Sequence, residues 1–288
     1  MTEWTILAAV TVRPNGIQTG PFGNLPLVIR NIGEQHRWAR CGNAFMEYAR
    51  LISHLIDAKC AFRRALVQRL LAGQNRLLDP ATTPSRQTSE FGTVPADWSV
   101  VCIGEIAKEI NTRGPIDGNV EYSCTKHEGL VPSLEYFGKQ VFSRNLAAYK
   151  RVETGDFAYA TNHIEEGSIG LLREGQSPGL VSPMYTVFRP TDRVNREFLF
   201  ALLKTESYRR VFAKRTNASV NRRGSLRWKD FARIKVGLPS RETQDRITDT
   251  LGLVDLEIRQ LSRLGELIDT QKRALLCHML SDEIFVPA

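Results

Sequence analysis

Two segments of the chain carry apolar residues in alternating steps of three and four. That is the spacing of a helix presenting one narrow face to a partner helix. In the first segment the stripe is Phe45, Tyr48, Ile52, Leu55, Phe62, Leu66 and Leu70, with Lys59 in the remaining slot. Asn43 is placed to cap this helix and Gly73 to end it. In the second, Ile247, Leu251, Val254, Ile258, Leu261, Leu264, Ile268, Leu275 and Met279 continue the stepping behind Ser240 as N-cap. Glu242 falls in its first turn, where the helix dipole favours an acid. At 1.5 Å per residue the two rods would run roughly 45 and 60 Å. The pattern predicts helices over 43–73 and 240–282, packed as an antiparallel coiled coil within one chain or between two.

Between them the period changes. Residues 74–97 are rich in Pro, Thr, Ser and Gly and poor in large apolar groups, as expected of a linker. From Trp98 to Pro239, short apolar runs alternate with Gly/Pro turns, and the runs predict strands at Trp98–Ile103, Phe157–Ala160, Ser168–Leu172, Met184–Phe188 and Ile234–Leu238. A helix is predicted over Asn195–Lys214, with Phe198, Leu202 and Leu203 along one side. The fold class is therefore α+β, a mixed domain at 98–239 plus two long helices. Residues 1–42 hold a short apolar run, Trp4–Val12, followed by Gly and Pro punctuation. The stretch Thr19–Asn24 (TGPFGN) lacks the Lys-Ser/Thr of a phosphate loop and reads as a turn.

The helices share more than a period. At an offset of 209, Leu51–Gly73 aligns without a gap on residues 260–282. Ser53, Leu55, Arg64, Ala65, Leu66 and Leu71 meet identical residues at Ser262, Leu264, Arg273, Ala274, Leu275 and Leu280. Matching through charged and small positions marks an internal repeat, a spacer pair with something mounted between its copies.

Composition sharpens this picture only where it is uneven. The chain of 288 residues carries 39 Lys and Arg against 31 Asp and Glu, a net charge of +8, which favours a polyanionic partner. Eleven of those cations (Lys204, Arg209, Arg210, Lys214, Arg215, Arg222, Arg223, Arg227, Lys229, Arg233, Lys235) fall within 204–235, opposed by Glu206 and Asp230. Tyr208, Phe212, Trp228 and Phe231 are interleaved with them, and the neighbours of Tyr185 and Trp228 suit burial better than base stacking. At the centre lies RTNASVNRRGSLRW, Arg215–Trp228. Arg can pair with guanine or clamp phosphate, Asn can read adenine, and Ser can hold the backbone.

Chemistry of other kinds is poorly served. There is no Pro-Pro dipeptide for a methyltransferase N/D-P-P-Y/F motif and no Pro-Asp for a metal-dependent nuclease. Asp57–Lys59 is the one D/E-x-K, and it lies in a predicted helix. Glu165 and Glu166 sit beside Gly167 in a turn and read as solvated. Five cysteines, odd in number and without C-x-x-C, suit a reducing compartment. Cys124 and His127 have half a zinc spacing, with His163 and Cys102 as conceivable completers, but no second close pair exists. We therefore assign no metal, no cofactor and no catalytic residue. No apolar run approaches membrane-spanning length, so a cytoplasmic protein without a membrane partner is expected.

With repeat and basic loop in hand, the chain resembles the DNA-specificity (S) subunit of a type I restriction–modification system. The resemblance spans 43–282, and its marks are RRALVQRLLAGQNR, FGTVPADW, VETGDFAYA, GLVSPMYTVFRP, GLPSRETQDRI and KRALLCHML, in that order. It implies a non-catalytic subunit whose target-recognition domain, 98–239, binds double-stranded DNA and directs adenine methylation and restriction by partner subunits. It implies adenine-methyltransferase (M) subunits as partners on the helices and leaves restriction (R) motor subunits open. S subunits carry two recognition domains, whereas here 1–42 has room only for the opening of the first. A half-length form is expected, which dimerises and reads a split, palindromic site. The alternative is an S-subunit remnant or coiled-coil protein that binds methyltransferase subunits without reading DNA. The candidate DNA contacts are Lys214, Arg215, Asn217, Ser219, Asn221, Arg222, Arg223 and Arg227, with Asn162 and His163 in the turn after GDFAYA.

Arg222→Ala combined with Arg223→Ala is expected to weaken DNA binding and to flatten its dependence on salt, since each lost phosphate contact removes about one unit of slope. A fluorescence-anisotropy titration at several salt concentrations measures it, and an unchanged slope removes this loop from the interface.

Overall fold

The structure, a computed structural model, describes residues 32–72, 86–89, 92–115, 118, 120–143, 145–217 and 224–280. The chain divides into two units, one of Met1–Arg63 with Leu253–Ala288, the other of Arg64–Gly252.

The first unit is built on two helices that continue into the second, α1 (Ile32–Leu71) and the last helix of the chain (Arg241–Leu280). They run antiparallel within this unit: Ile52, Lys59 and Arg63 on α1 lie opposite Gly265, Glu257 and Asp255. Helix α1 begins at Ile32 rather than at Asn43. Trp38 and Gly42 are buried in that added stretch, and Asn43 is an exposed interior residue instead of a cap.

The less exposed face of α1 steps through Phe45, Ala49, Ile52, Ile56, Lys59 and Arg63, and that of the last helix through Val254, Ile258, Leu261, Gly265, Ile268, Lys272 and Leu275. The expected stripe is thus corrected at several places. Tyr48, Leu55 and Phe62 are 60%, 46% and 53% exposed, and Leu264 is exposed as well. The reason is polar. Lys59 Nζ reaches Glu257 Oε2 at 2.6 Å, and Arg63 pairs with both carboxylate oxygens of Asp255, one at 2.9 Å. A bidentate Arg–carboxylate pair fixes geometry as well as charge, and it holds the helices in one rotation.

The second unit is mixed. In chain order it contains β1 (Arg86–Ser89), β2 (Gly92–Pro95), β3 (Ser99–Cys102), α2 (Ile103–Ile106), β4 (Ala107–Ile110), β5 (Val120–Thr125), β6 (Gly129–Pro132) and α3 (Ser133–Phe137). There follow β7 (Lys150–Val152), β8 (Phe157–Ala160), β9 (Ile169–Leu171), β10 (Gly179–Val181), β11 (Tyr185–Pro190), α4 (Arg196–Leu203), α5 (Glu206–Asn217), α6 (Trp228–Phe231), β12 (Lys235–Leu238) and the start of α7 (Arg241–Leu280). There are two four-stranded sheets among the described residues, ordered β6-β5-β10-β7 and β4-β11-β8-β9, and two separate two-stranded pairs, β1-β2 and β12-β3. The strand pairs are antiparallel apart from β10 on β5.

All five predicted strands are present, and Phe157–Ala160 has the predicted bounds. The predicted single helix over 195–214 is two. Thr205 interrupts it: its hydroxyl donates to the Leu202 carbonyl at 2.7 Å and accepts from the Tyr208 N–H, capping the second helix as the first ends. Asn195 caps α4 by accepting from the Phe198 N–H at 3.1 Å. The same residue ties the domain to the first turns of α7. Its N–H donates to Gln244 Oε1 at 2.7 Å and its amide to Asp245 at 2.6 Å, while Gln244, 1% exposed, also donates to the Pro239 carbonyl. Ser240 caps α7 as predicted, its hydroxyl accepting from the Thr243 N–H.

The core is aromatic. Phe157, Tyr159, Phe188, Phe212 and Phe231 are fully buried, and Phe157 stacks on Phe188 with centroids 4.9 Å apart. Tyr159 and Phe231 lie 4.7 Å apart. Each such ring contributes on the order of 1.5–3 kcal/mol through burial alone.

Close strand approach sets a second constraint. A Cβ on Gly179 would lie 2.1 Å from the Val120 carbonyl oxygen, whereas one on Gly252, mid-helix in α7, would meet open space. Gly179→Ala is expected to destabilise the protein by about 1–3 kcal/mol through backbone overlap. Gly252→Ala is expected to stabilise it by up to about 1 kcal/mol through helix propensity. Urea unfolding of the two variants beside the parent measures the opposite signs.

Candidate nucleic-acid interface

The basic stretch separates into two kinds of residue once folded. On α5 the apolar positions Tyr208, Val211 and Phe212 are buried together with Thr216. Helical spacing then leaves Arg210 and Lys214 on the opposite, exposed face. Tyr208 donates its hydroxyl to the Lys235 carbonyl at 3.2 Å, and Trp228 packs half-buried against Phe188 and Phe231. Tyr185 is also half-buried, its hydroxyl accepting from the Cys124 N–H. The interleaved aromatics are core, as the sequence suggested for Tyr185 and Trp228.

Not every cation faces outward. Lys204 Nζ donates to the carbonyls of Lys126 and Gly167, both at 2.7 Å, and lies 5.7 Å from the Phe200 ring centre. Burial depresses its pKa. Arg209 donates to the Glu165 carbonyl and to Glu206. These two hold the turn between β8 and β9 in place. Among the described residues of this stretch the exposed cations are Arg210, Lys214, Arg227, Lys229, Arg233 and Lys235, of which Arg210 and Arg233 lie near Glu206 and Asp230 at 3.5 and 3.9 Å.

The two candidate segments meet at Thr161. Its carbonyl accepts from the Leu226 N–H at 2.9 Å, and the buried Tyr159 hydroxyl donates to the Leu226 carbonyl at 3.1 Å. The Thr161 hydroxyl lies 3.0 Å from the Met184 carbonyl and 3.1 Å from Asn162 Oδ1. A Cβ on Gly224 would meet Thr216 Cγ2 at 3.0 Å, so the chain returns to α5 where it left. Of the sequence candidates, Lys214 and Arg227 are exposed, Arg215 and Asn162 half-buried, His163 exposed, and Asn217 ends α5. Ser219, Asn221, Arg222 and Arg223 lie outside the described residues, as does Thr19–Asn24. The Thr161–Leu226 hydrogen bond thus joins two segments far apart in sequence, one continuing into Asn162 and the other into Arg227.

A 3₁₀ turn, Ile164–Glu166, closes on Gly167, whose φ of 96° suits glycine. Glu165 and Glu166, expected to be solvated, are half-buried instead. Glu166 pairs with Lys126 Nζ at 2.6 Å and with His163 Nδ1 at 3.4 Å. The Lys126 hydrogen bond holds the Glu166 carboxyl below its ordinary pKa. Glu165 Oε2 is buried without a hydrogen-bond partner among the described residues. Lys126 and Met184 are the neighbours that sequence reasoning missed. Lys126 belongs to no motif, and Met184, though inside the run GLVSPMYTVFRP, carries no sign there of its neighbours; the sheet register brings both here.

The half-zinc spacing does not assemble. Cys124 donates its thiol to the Ala158 carbonyl at 3.6 Å, and burial pushes its pKa up to about 12, while His127 is exposed. Among the described residues, the one set of potential ligand atoms mutually within 4.8 Å is His163, Glu165 and Glu166, which contains neither cysteine.

No protein-family model and no curated protein sequence matches the chain. Solved structures do. The HsdS subunit of Thermoanaerobacter tengcongensis matches with a TM-score of 0.52 at 17% identity, over 88% of this chain and 59% of that one. The type I restriction–modification S subunit of M. genitalium matches with a TM-score of 0.52 at 15% identity, over 85% and 60%. The chain has the S-subunit fold. It spans about three fifths of the length of these S subunits. Among the described residues no helix is long and apolar enough to cross a membrane.

A thiol with a pKa near 12 is almost wholly protonated at pH 8, whereas an ordinary exposed thiol is partly thiolate. In the folded protein Cys124 is expected to alkylate at least about tenfold more slowly than after unfolding in urea. Mass spectrometry of iodoacetamide-labelled peptides reads both rates.

Proposed function

We propose that this chain is the DNA-recognition subunit of a type I restriction–modification system, itself without catalysis, and that residues 98–239 form its target-recognition domain. The observation that carries the reading is the hydrogen bond from the Leu226 N–H to the Thr161 carbonyl, which joins the start of the Asn162–His163 turn to the residue before the exposed Arg227. Arg227, Lys214 and Arg215 supply phosphate contacts or guanine readout, and Asn162 a side chain suited to adenine. Asn217, Ser219, Asn221, Arg222 and Arg223 are the further DNA contacts we assign. The fold shared with S subunits supports the assignment.

The helices take the role of partner docking. In the helix-pair unit a second apolar stripe is left uncovered, Tyr48, Leu51, Leu55 and Phe62 on α1 and Leu253, Leu256, Leu264 and Leu267 on α7, each at least 44% exposed. Apolar stripes on this scale mark protein–protein surfaces. Adenine-methyltransferase subunits and a second copy of the chain are the occupants we assign, the restriction motor joining through the assembled complex. Two copies related by a two-fold axis would read a split palindromic site.

The same stripes would serve a protein that binds methyltransferase subunits without reading DNA, which is the second reading. Co-expression with the neighbouring methyltransferase, followed by sequencing of methylated adenines, separates them. A split palindromic motif is expected. Complex formation with no motif would leave only the second reading.

A further inference from the structure

In the mixed unit the exposed large apolar side chains, among the described residues, fall in two places. Leu134, Tyr136, Phe137 and Val141 cluster in and after α3, and Met184 stands apart, 61% exposed, within the loop cluster at Thr161. An apolar side chain this exposed, on a backbone bonded to Thr161 one residue before Asn162, needs a partner of its own to be more than a surface accident.

Its setting is held from both sides. The Met184 N–H donates to Ser182 Oγ at 3.3 Å, and its carbonyl takes the Thr161 hydroxyl at 3.0 Å. Pairing of Tyr185 with Ala160 sets Met184 directly across from Thr161, one residue before Asn162. Asn162 offers Oδ1 to Thr161, and its amide nitrogen has no partner among the described residues. So a backbone-anchored apolar side chain and an amide with unused hydrogen-bonding capacity stand on neighbouring strand ends.

That pair of chemistries matches one object in the DNA major groove. An A·T pair presents there the adenine N7 acceptor and N6 donor, which an Asn amide can satisfy together, and the thymine 5-methyl group, which needs an apolar contact. We propose that Met184 is a specificity-determining residue that packs on a pyrimidine 5-methyl group, with Asn162 beside it on the adenine of the same or the adjacent pair. The inference rests on the DNA-reading function proposed above. The methyl occurs on thymine and on 5-methylcytosine, so the two sources share the contact.

The test is selection of bound duplexes from a random library by the full chain with its methyltransferase partner, followed by affinity measurements on the selected site. Wild-type protein is expected to select a motif containing an A·T position at which deoxyuridine in place of thymine weakens binding about fourfold, the loss of one methyl contact. Met184→Ala is expected to bind with that penalty abolished and the rest of the motif intact, while Met184→Leu keeps it. If the methyl alone is read, 5-methylcytosine·guanine at that position regains affinity over cytosine·guanine, and if the thymine edge is also required it does not; both accord with the contact. A deoxyuridine penalty unchanged in Met184→Ala, or absent from every thymine of the wild-type motif, overturns the inference and leaves DNA reading standing. Selection of no motif by the wild type overturns both. The exposure of Met184 makes folding of the variants straightforward to confirm by thermal unfolding.

Discussion

One stretch of chain has to supply both the floor of the core and the charge on the surface, and burial of its aromatics decides how. Tyr208, Phe212 and Phe231 are each at most 1% exposed, tied to the strands through Tyr159 and Phe188. Because a helix turns 100° per residue, fixing Tyr208, Val211 and Phe212 inward leaves no freedom for Arg210 and Lys214, which must face solvent. Extruding them costs nothing in desolvation, whereas burying either without a counter-charge would cost several kcal/mol. The basic face is therefore a by-product of core packing. Lys204 shows the other solution: it is drawn in, and two carbonyls and an aromatic face take the place of water.

The helix pair obeys a comparable rule with a different outcome. The repeat makes His54 and Arg263 counterparts, and the register that sets Ile52 against Gly265 and Lys59 against Glu257 puts those same two residues level with each other. The two copies thus face each other only where they overlap, at about 51–57 and 260–266, and beyond that each lies against chain outside the other copy. Lys59 and Arg63 on one side meet Glu257 and Asp255 on the other, and a charge pair inside a seam specifies register more than it adds stability. That choice has a consequence for the surface, since rotating the basic residues inward turns Tyr48, Leu55 and Phe62 outward.

These arrangements show what could be read in advance. The strands were legible because short apolar runs bounded by Gly and Pro leave few alternatives, and Phe157–Ala160, buried at every position, is the clearest. The last helix was legible from its own stripe. The first was misread in rotation, because Tyr48 and Ala49, or Leu55 and Ile56, are adjacent and both apolar. Only Asp255 and Glu257 on the last helix decide between them. The break at Thr205 escaped notice because a threonine in a helix-forming run carries no local sign that its hydroxyl will cap the next turn. At the candidate interface, composition pointed to the basic residues. It could not point to Met184 or Lys126, whose relevance comes from strand register alone.

Register also explains why these loops suit the reading surface proposed for them. A flexible loop that orders on binding loses about 0.5–1.5 kcal/mol for each side chain it immobilises, so discrimination between bases is better built on groups already held. The turn after β8 is held by Gly167 in its left-handed conformation, by Arg209 on the Glu165 carbonyl and by Lys204 on the Gly167 carbonyl. Leu226 is held between the Thr161 carbonyl and the Tyr159 hydroxyl, and Tyr159 is itself fully buried. Rigidity therefore passes from the aromatic core, through one phenolic hydroxyl, to the backbone that carries Arg227. The side chains presented there are long or polar and remain free to adjust, while the backbone beneath them is set before any ligand arrives.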